Sequence, residues 1–332
     1  MDSRRNYGLT GRYGLWVGPG SSEVQLFDEV GNYLTGQFGR TWWVDTNVGS
    51  DTNNTGRASN SPYLTMAKAF AQITAGNIVS GDTIKFRGNI NETLIAPLGA
   101  ADITIEGTGN RPRHADTHPL GGEKSGSTWK IGALSTAPLL TLRSPGWRIK
   151  NILFVSHAAN YALKLQRSVV EDATEEDPSH LEVIGCRFAS GGGGISDAGG
   201  CADVGLYANR FEALTVACIL GVGNVGVGQS DWDIRGNTFD GFDNGVKIAG
   251  FGCRIQDNSF TAGLTPNTTF VLNVSNGGGG SNMVVKNFFQ TATANFNTPD
   301  IVGNATDVWA ANASIDSTAA GVGGSYEWGQ PA

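Results

Sequence analysis

Four aspartates stand close together in the chain: Asp231, Asp233, Asp240 and Asp243, with Arg235 among them. Paired carboxylates are what cleavage of a glycosidic bond needs, one as acid and one as base or nucleophile. Elimination from a uronate would instead need a base with a cation beside it. The cluster carries no recognisable signature of either reaction. Asp233 falls at an outward position of a repeated phrase, and Arg254 falls at the same position one repeat later. A plain cross-strand ion pair, worth about 0.2–1 kcal/mol, accounts for both residues. The four aspartates are therefore read as structural, and no catalytic residue is assigned.

Two further groups offer ligands for a metal. Asp45, Asn47, Gly49, Asp51 and Asn53 place oxygen atoms at alternate positions, as calcium loops do. They lack the closing bidentate Glu, and a turn held by Asn and Asp side chains is the simpler reading. His114, Asp116 and His118 would share one face of a strand, and the two histidines one face of a helix. Pro112 and Pro119 bracket that triplet, which argues for a solvated loop instead. No metal or cofactor is assigned. The chain has no nucleophile elbow, no zinc-protease motif and no phosphate loop.

What must position these residues is a phrase that keeps returning: apolar, any, apolar, any, small, Asn, any, Phe. It reads Trp232-Asp-Ile-Arg-Gly-Asn-Thr-Phe239, Cys253-Arg-Ile-Gln-Asp-Asn-Ser-Phe260 and Val204-Gly-Leu-Tyr-Ala-Asn-Arg-Phe211. Looser copies end at Phe154, Phe188 and Phe289. Aligned on the Phe, an aliphatic column holds Ile149, Val183, Leu206, Ile234, Ile255 and Val284. A second, mostly apolar column holds Trp147, Leu181, Val204, Trp232, Cys253 and Asn282. Apolar residues two apart, with mixed residues between, predict a strand with one buried face. The Phe-to-Phe steps are 34, 23, 28, 21 and 29 residues. Such a step is too long for one strand, so each repeat is a full turn of a wider coil. Additional apolar stretches at 161–165, 216–220, 246–248 and 270–272 supply further strands per turn. Stacked turns of this kind make a parallel β-helix. The Asn at 209, 237, 258 and 287 is expected at a tight corner, because Asn tolerates left-handed backbone and can bond to its counterpart in the next coil.

Composition agrees with an all-β solenoid. Gly accounts for 48 of 332 residues and charged residues for only 16%. The formal charge of −7 argues against a nucleic-acid partner. No run of 18 apolar residues exists, so no membrane span is expected. The N-terminus shows no signal-peptide core, and Cys186, Cys201, Cys218 and Cys253 form no paired motif, so all four are read as reduced core residues. Three regions are expected: a Gly-rich, aromatic arm over 1–40, the β-helix over 41–290, and a capping or contact tail over 291–332. Ser61 to Ile73 predicts a short helix burying Met66, Ala69, Phe70 and Ile73, placed to cover the open end of the first coil.

The stretch Val44-Asp-Thr-Asn-Val-Gly-Ser-Asp-Thr-Asn-Asn54, with Ser61-Pro-Tyr-Leu-Thr65, Gly81-Asp-Thr-Ile84 and the Asn-x-Phe coils, resembles pectate-lyase-like right-handed parallel β-helix proteins. That resemblance implies the architecture and no particular activity. Asn6-Tyr-Gly-Leu-Thr-Gly11, Val17-Gly-Pro-Gly20 and Val24-Gln-Leu-Phe27 look like the lead segments of bacteriophage virion proteins. Val308-Trp-Ala-Ala-Asn312 and the small residues after it look similar to the ends of such proteins. The resemblance implies a capsid decoration protein or short tail spike, anchored to other virion proteins by its arm and assembled as a homotrimer. The alternative it implies is a spike that binds or depolymerises a host surface glycan.

Overall fold

The computed structural model describes residues 16–17, 24–25, 39–108, 126–130, 136–167, 176–197, 199–221, 228–262, 271–274, 280–291, 301–303, 305–316 and 325–328. The chain winds as a parallel β-helix whose strands form three faces. The first two faces run together through the long strand Thr83–Ile90 into a 19-stranded sheet, and the third is 8-stranded. Strands in successive coils pair in parallel and in register.

The expected columns are the core. Ile149, Val183, Leu206, Ile234, Ile255 and Val284 are aligned strand to strand on the first face, all fully buried. The column extends upward to Trp42, Ile84 and Ile105. On the second face the Phe side chains stack ring on ring. Phe188 and Phe211 have centroids 4.6 Å apart at 4°, and Phe239 and Phe260 are 4.6 Å apart at 7°. A rise of about 4.8 Å per coil sets this spacing, and the Phe positions are aligned in register from coil to coil. The third face places Leu140, Leu163, Ile195, Ile219, Val246 and Leu272 in one buried column.

The corner differs from expectation. Asn209, Asn237, Asn258 and Asn287 are not the left-handed residues; Ala208, Gly236, Asp257 and Lys286, one position earlier, are. Each Asn points inward and is buried. The Oδ1 of Asn237, Asn258 and Asn287 accepts from the backbone N and the Nδ2 of the Asn one coil before, and the Nδ2 of all four also donates to a backbone carbonyl. For Asn237 these are Asn209 N at 2.8 Å, Asn209 Nδ2 at 3.0 Å and Leu206 O at 2.8 Å. The expected bonding between coils is present and runs on to Asn312. The corner needs an inward group that satisfies buried backbone, and Asn serves that need better than it serves the left-handed position beside it. Cys186 stands at the top of this ladder, its backbone N–H donating to Asn209 Oδ1.

The N-terminal end is covered as expected, with a shorter helix. It spans Met66–Thr74 and buries Met66, Ala69, Phe70 and Ile73. Residues before Met66 are used otherwise: Tyr63 bridges Val44, and Pro62 offers no N–H. The coil also continues past the last Asn-x-Phe copy. Ile301–Val302, Val308–Ala310 and Asn312–Asp316 add one strand to each face. Trp309 takes the aliphatic position and Ser314 the Phe position, which hides this coil from a search for the phrase. Ser325–Trp328 then pairs antiparallel with Asn312–Asp316 and covers that edge.

Candidate functional site

The outward columns of the first two faces carry the charged side chains, and the four candidate aspartates are divided between them. Asp233 projects from the first face in the strand Asp233–Arg235, and Asp240 from the second face in Thr238–Phe242. The corner at Gly236 and Asn237 lies between. Asp231 sits at the preceding corner with positive φ. Asp243 lies beyond the second-face strand, its N–H bonded to Leu214 O. The chain's tight spacing of aspartates is thus divided by a corner, with Asp233 on one face and Asp240 on the next.

Asp233 has a different partner from the one expected. Register does place Arg254 beside it, yet its Oδ2 pairs with Arg235 of its own strand at 2.6 Å. Residues two apart on a strand share a face, and Arg235 is drawn to Asp233 by Tyr207. The Tyr207 ring leans across Gly205, where an added Cβ would stand 2.5 Å from it. The Arg235 guanidinium lies over that ring, 5.3 Å from its centroid, and the Tyr207 hydroxyl donates to Asp233 Oδ2. Burial pushes the Tyr207 phenol above its ordinary value. Asp233 Oδ1 and Arg235 Nε are buried without a hydrogen-bond partner.

Asp240 belongs to a ladder of four charges on the second face. Arg187 pairs with Glu212, Arg210 pairs with Glu212, and Arg210 Nη2 reaches Asp240 Oδ2 at 2.9 Å. Alternating signs climb three coils and tie them together. At partial exposure such pairs are each worth about 1 kcal/mol or less.

Asp45 and Asp51 are engaged separately. Asp45 accepts from Asn47 N at 2.9 Å and pairs with Arg87. Asp51 accepts from the backbone N–H groups of Leu64 and Thr65 and from the Thr65 hydroxyl, just before the helix. Glu92 accepts from Met66 N and Ala67 N at the helix start, and burial pushes its carboxyl up against those bonds. The loop is a turn and a helix cap. No group of three or more His, Cys, Asp or Glu side chains is arranged to hold a metal among the described residues. His114, Asp116 and His118 lie outside the described residues.

Sequence reasoning missed the buried network at the corner between the third and first faces. Asp197, 1% exposed, accepts from Gly199 N, from Cys201 N at 2.8 Å and from Gln229 Nε2 at 2.9 Å. Gln229 Oε1 in turn accepts from Ala249 N. Gln229 lies 32 positions from Asp197, and the whole network stands outside the repeated phrase, so only the run of glycines near it gave a signal. Gly191 to Gly194 have no room for a Cβ because the previous coil's turn at 156–161 and the Phe211 ring crowd them. The cysteines are buried and free. Burial raises the Cys186 thiol to about 12 and that of Cys253 to about 11, so neither is a nucleophile at neutral pH.

No protein-family model matches the chain, and no curated protein does. Among solved structures it is similar to PfbA, a surface adhesin of Streptococcus pneumoniae, at 12% identity over 71% of this chain and 73% of that one, with a TM-score of 0.47. It is similar to the pectate lyase Pel9A at 13% identity over 82% and 79%, with a TM-score of 0.44. A lacto-N-biosidase from Eubacterium ramulus gives 10% identity over 83% and 56%, with a TM-score of 0.39. Likeness at this level carries nothing about what this chain binds or cleaves. No helix among the described residues is long and apolar enough to cross a membrane.

Proposed function

We propose that this chain is a structural scaffold: a stiff β-helix whose task is to present its flanks and ends to partners. The observation that supports this is the use made of the charged side chains. The carboxylates best placed for chemistry are ion-paired within the scaffold, Asp233 to Arg235 and Asp240 to Arg210. We propose further that the scaffold is a bacteriophage virion protein, a capsid decoration or short tail spike, held to other virion proteins through residues 1–40 and acting as a homotrimer on the virion surface. This part is supported by the resemblance of residues 6–27 to virion lead segments. Immunogold labelling of particles tests it. Label on intact particles, lost when residues 1–40 are deleted, is the expected result; a chain that never associates with particles overturns it.

A second reading has one observation in its favour. The Tyr207, Arg235 and Asp233 group sets an aromatic ring, a cation and a carboxylate side by side on an outer face, which suits a polar ligand such as a host surface glycan. Incubation with such glycans, followed by reducing-end and unsaturated-product assays, separates the readings. Activity lost in both Asp233→Asn and Asp240→Asn would replace the scaffold with a depolymerase.

A further inference from the structure

One buried carboxylate joins three segments at the N-terminal end of the coil. Asp82 stands just before the strand Thr83–Ile90 and is 1% exposed. Its Oδ1 accepts from Arg40 N at 2.7 Å and from Arg40 Nε at 3.4 Å. Its Oδ2 accepts from Arg40 Nη2 at 3.1 Å, Trp42 Nε1 at 2.9 Å and Val79 N at 3.1 Å. Arg40 and Trp42 belong to the segment by which the chain enters the coil, and Val79 to the turn that leaves the cap helix. Arg40 Nη2 also donates to Asn77 O in that turn. The entering segment is therefore tied to the end of the helix twice, once through the carboxylate and once directly. Beside the pair, Gly39 lies against the Gly81 carbonyl oxygen, where an added Cβ would stand 1.7 Å away. Thr83 N donates to Arg40 O at 2.9 Å. The chain is thus fixed at Gly39 and Arg40, before its first coil strand Thr41–Asp45 begins. Bonds between ionised partners are the strong kind, and these join residues 42 positions apart.

We propose that Arg40 and Asp82 form a clasp that couples load on residues 1–38 to the cap helix Met66–Thr74. The proposal rests on the reading above, in which residues 1–40 hold the chain to a larger body. Tension carried by that segment enters the coil at Gly39. The strand Thr41–Asp45 pairs parallel and in register with Thr83–Arg87, so a pull on its first residue loads that ladder one rung at a time. The clasp stands ahead of the first rung and breaks before it. Its bonds give way together, because one guanidinium and one carboxylate make most of them. Asn77 O then loses its donor, and Asp82 loses its cation at a buried position, which is strongly destabilising. Trp42 leaves with the strand and removes the ring on which Tyr63 stacks, with centroids 6.2 Å apart. Tyr63 lies just before the helix and Asn77 just after it, so the helix loses support at both ends from one event at Arg40. The helix covers the open end of the coil, with Phe70 stacked on Trp147 at 6.1 Å. Load beyond what the clasp bears therefore uncovers the first coils.

Hydrogen exchange of the full chain tests the clasp. Arg40→Ala is expected to raise exchange at the amides of residues 70–78 about tenfold or more, with those of Leu206 and Ile234 unchanged. Arg40→Lys keeps the charge and loses the fork, and is expected to fall between the two. Optical tweezers test the coupling to load, with handles at the N-terminus and at Arg254→Cys, the native thiols being buried. The first wild-type rupture is expected to free residues 39–81 in one step, about 150 Å of extended chain. In Arg40→Ala the entering strand is expected to come away at lower force, in a step of its own, with the helix following later. Helix amides indifferent to Arg40→Ala overturn the clasp. A wild-type rupture that frees the strand and leaves the helix in place overturns the coupling. A chain that never associates with particles defeats the attachment reading instead, and both measurements on the isolated chain are independent of that result.

Discussion

Asn237→Ala tests the ladder that locks the coils together. The Asn237 side chain makes four hydrogen bonds, all buried: two accepted from Asn209 N and Nδ2, and two donated to Leu206 O and Asn258 Oδ1. Truncation leaves the Asn209 backbone N–H without its acceptor, at a cost of about 1–3 kcal/mol for a buried orphan. Asn209 Nδ2 keeps Val183 O, so its loss is small. Leu206 O and Asn258 Oδ1 each lose one bond, about 0.5–1.5 kcal/mol apiece. The total is about 2–6 kcal/mol, a large fraction of the stability of an ordinary domain. Urea unfolding measures the sum, and amide exchange at Asn209 reports the orphan directly. The exposed Asn53→Ala is the control, expected within about 0.5 kcal/mol of wild type. Asn237→Asp sharpens the test. Protonated, the new acid can still donate to Leu206 O. Ionised, it turns an acceptor toward Leu206 O and Asn258 Oδ1. Burial raises its folded pKa above the unfolded value near ~3.9, so its penalty is smallest below that value and grows as pH rises. A loss under about 1 kcal/mol for Asn237→Ala, or an Asn237→Asp penalty that does not change with pH, would refute the account of the ladder.

Three further outcomes are expected. Gly192→Ala should cost about 1–3 kcal/mol, because its Cβ would stand 2.6 Å from the carbonyl oxygens of Asn160 and His157; Gly126→Ala, with open space around it, should change thermal stability little. Burial alone would raise the Asp82 carboxyl, but hydrogen bonds from Arg40, Trp42 and Val79 outweigh it and hold the pKa below the usual value. A depressed folded pKa contributes stability above the unfolded value and loses it as pH falls, so wild type should weaken below pH ~4 more steeply than Asp82→Asn; parallel acid-denaturation curves would count against this. Arg210→Ala, which takes the ion-pair partner from Asp240 and leaves Glu212 to Arg187, should cost about 1 kcal/mol or less in low salt and nearly nothing at high salt, as read from urea midpoints in both buffers.

Much of the fold was legible because a strand's side chains alternate and a solenoid repeats that alternation. The Phe and aliphatic columns needed only spacing, and the helix residues only their shared face. The left-handed corner was not legible, because Ala208, Gly236, Asp257 and Lys286 have no side-chain property in common. The extra coil escaped because Trp309 and Ser314 stand in register with the aliphatic and Phe columns, where the phrase has neither residue type. The candidate aspartates were visible as a cluster, but linear proximity says nothing about which side of a corner each will occupy. The choice of Arg235 over Arg254 turned on the Tyr207 ring and the absent side chain at Gly205.

The sequence by itself determined that the chain coils, which residues stack inside it, and that its first open end is covered. Those are consequences of periodicity, which each short segment carries within itself. Only the tertiary structure decided where the charges point and which of them meet. Those depend on the angle of single corner residues and on neighbours 21 to 29 positions away along the chain, brought into contact by one turn of the coil.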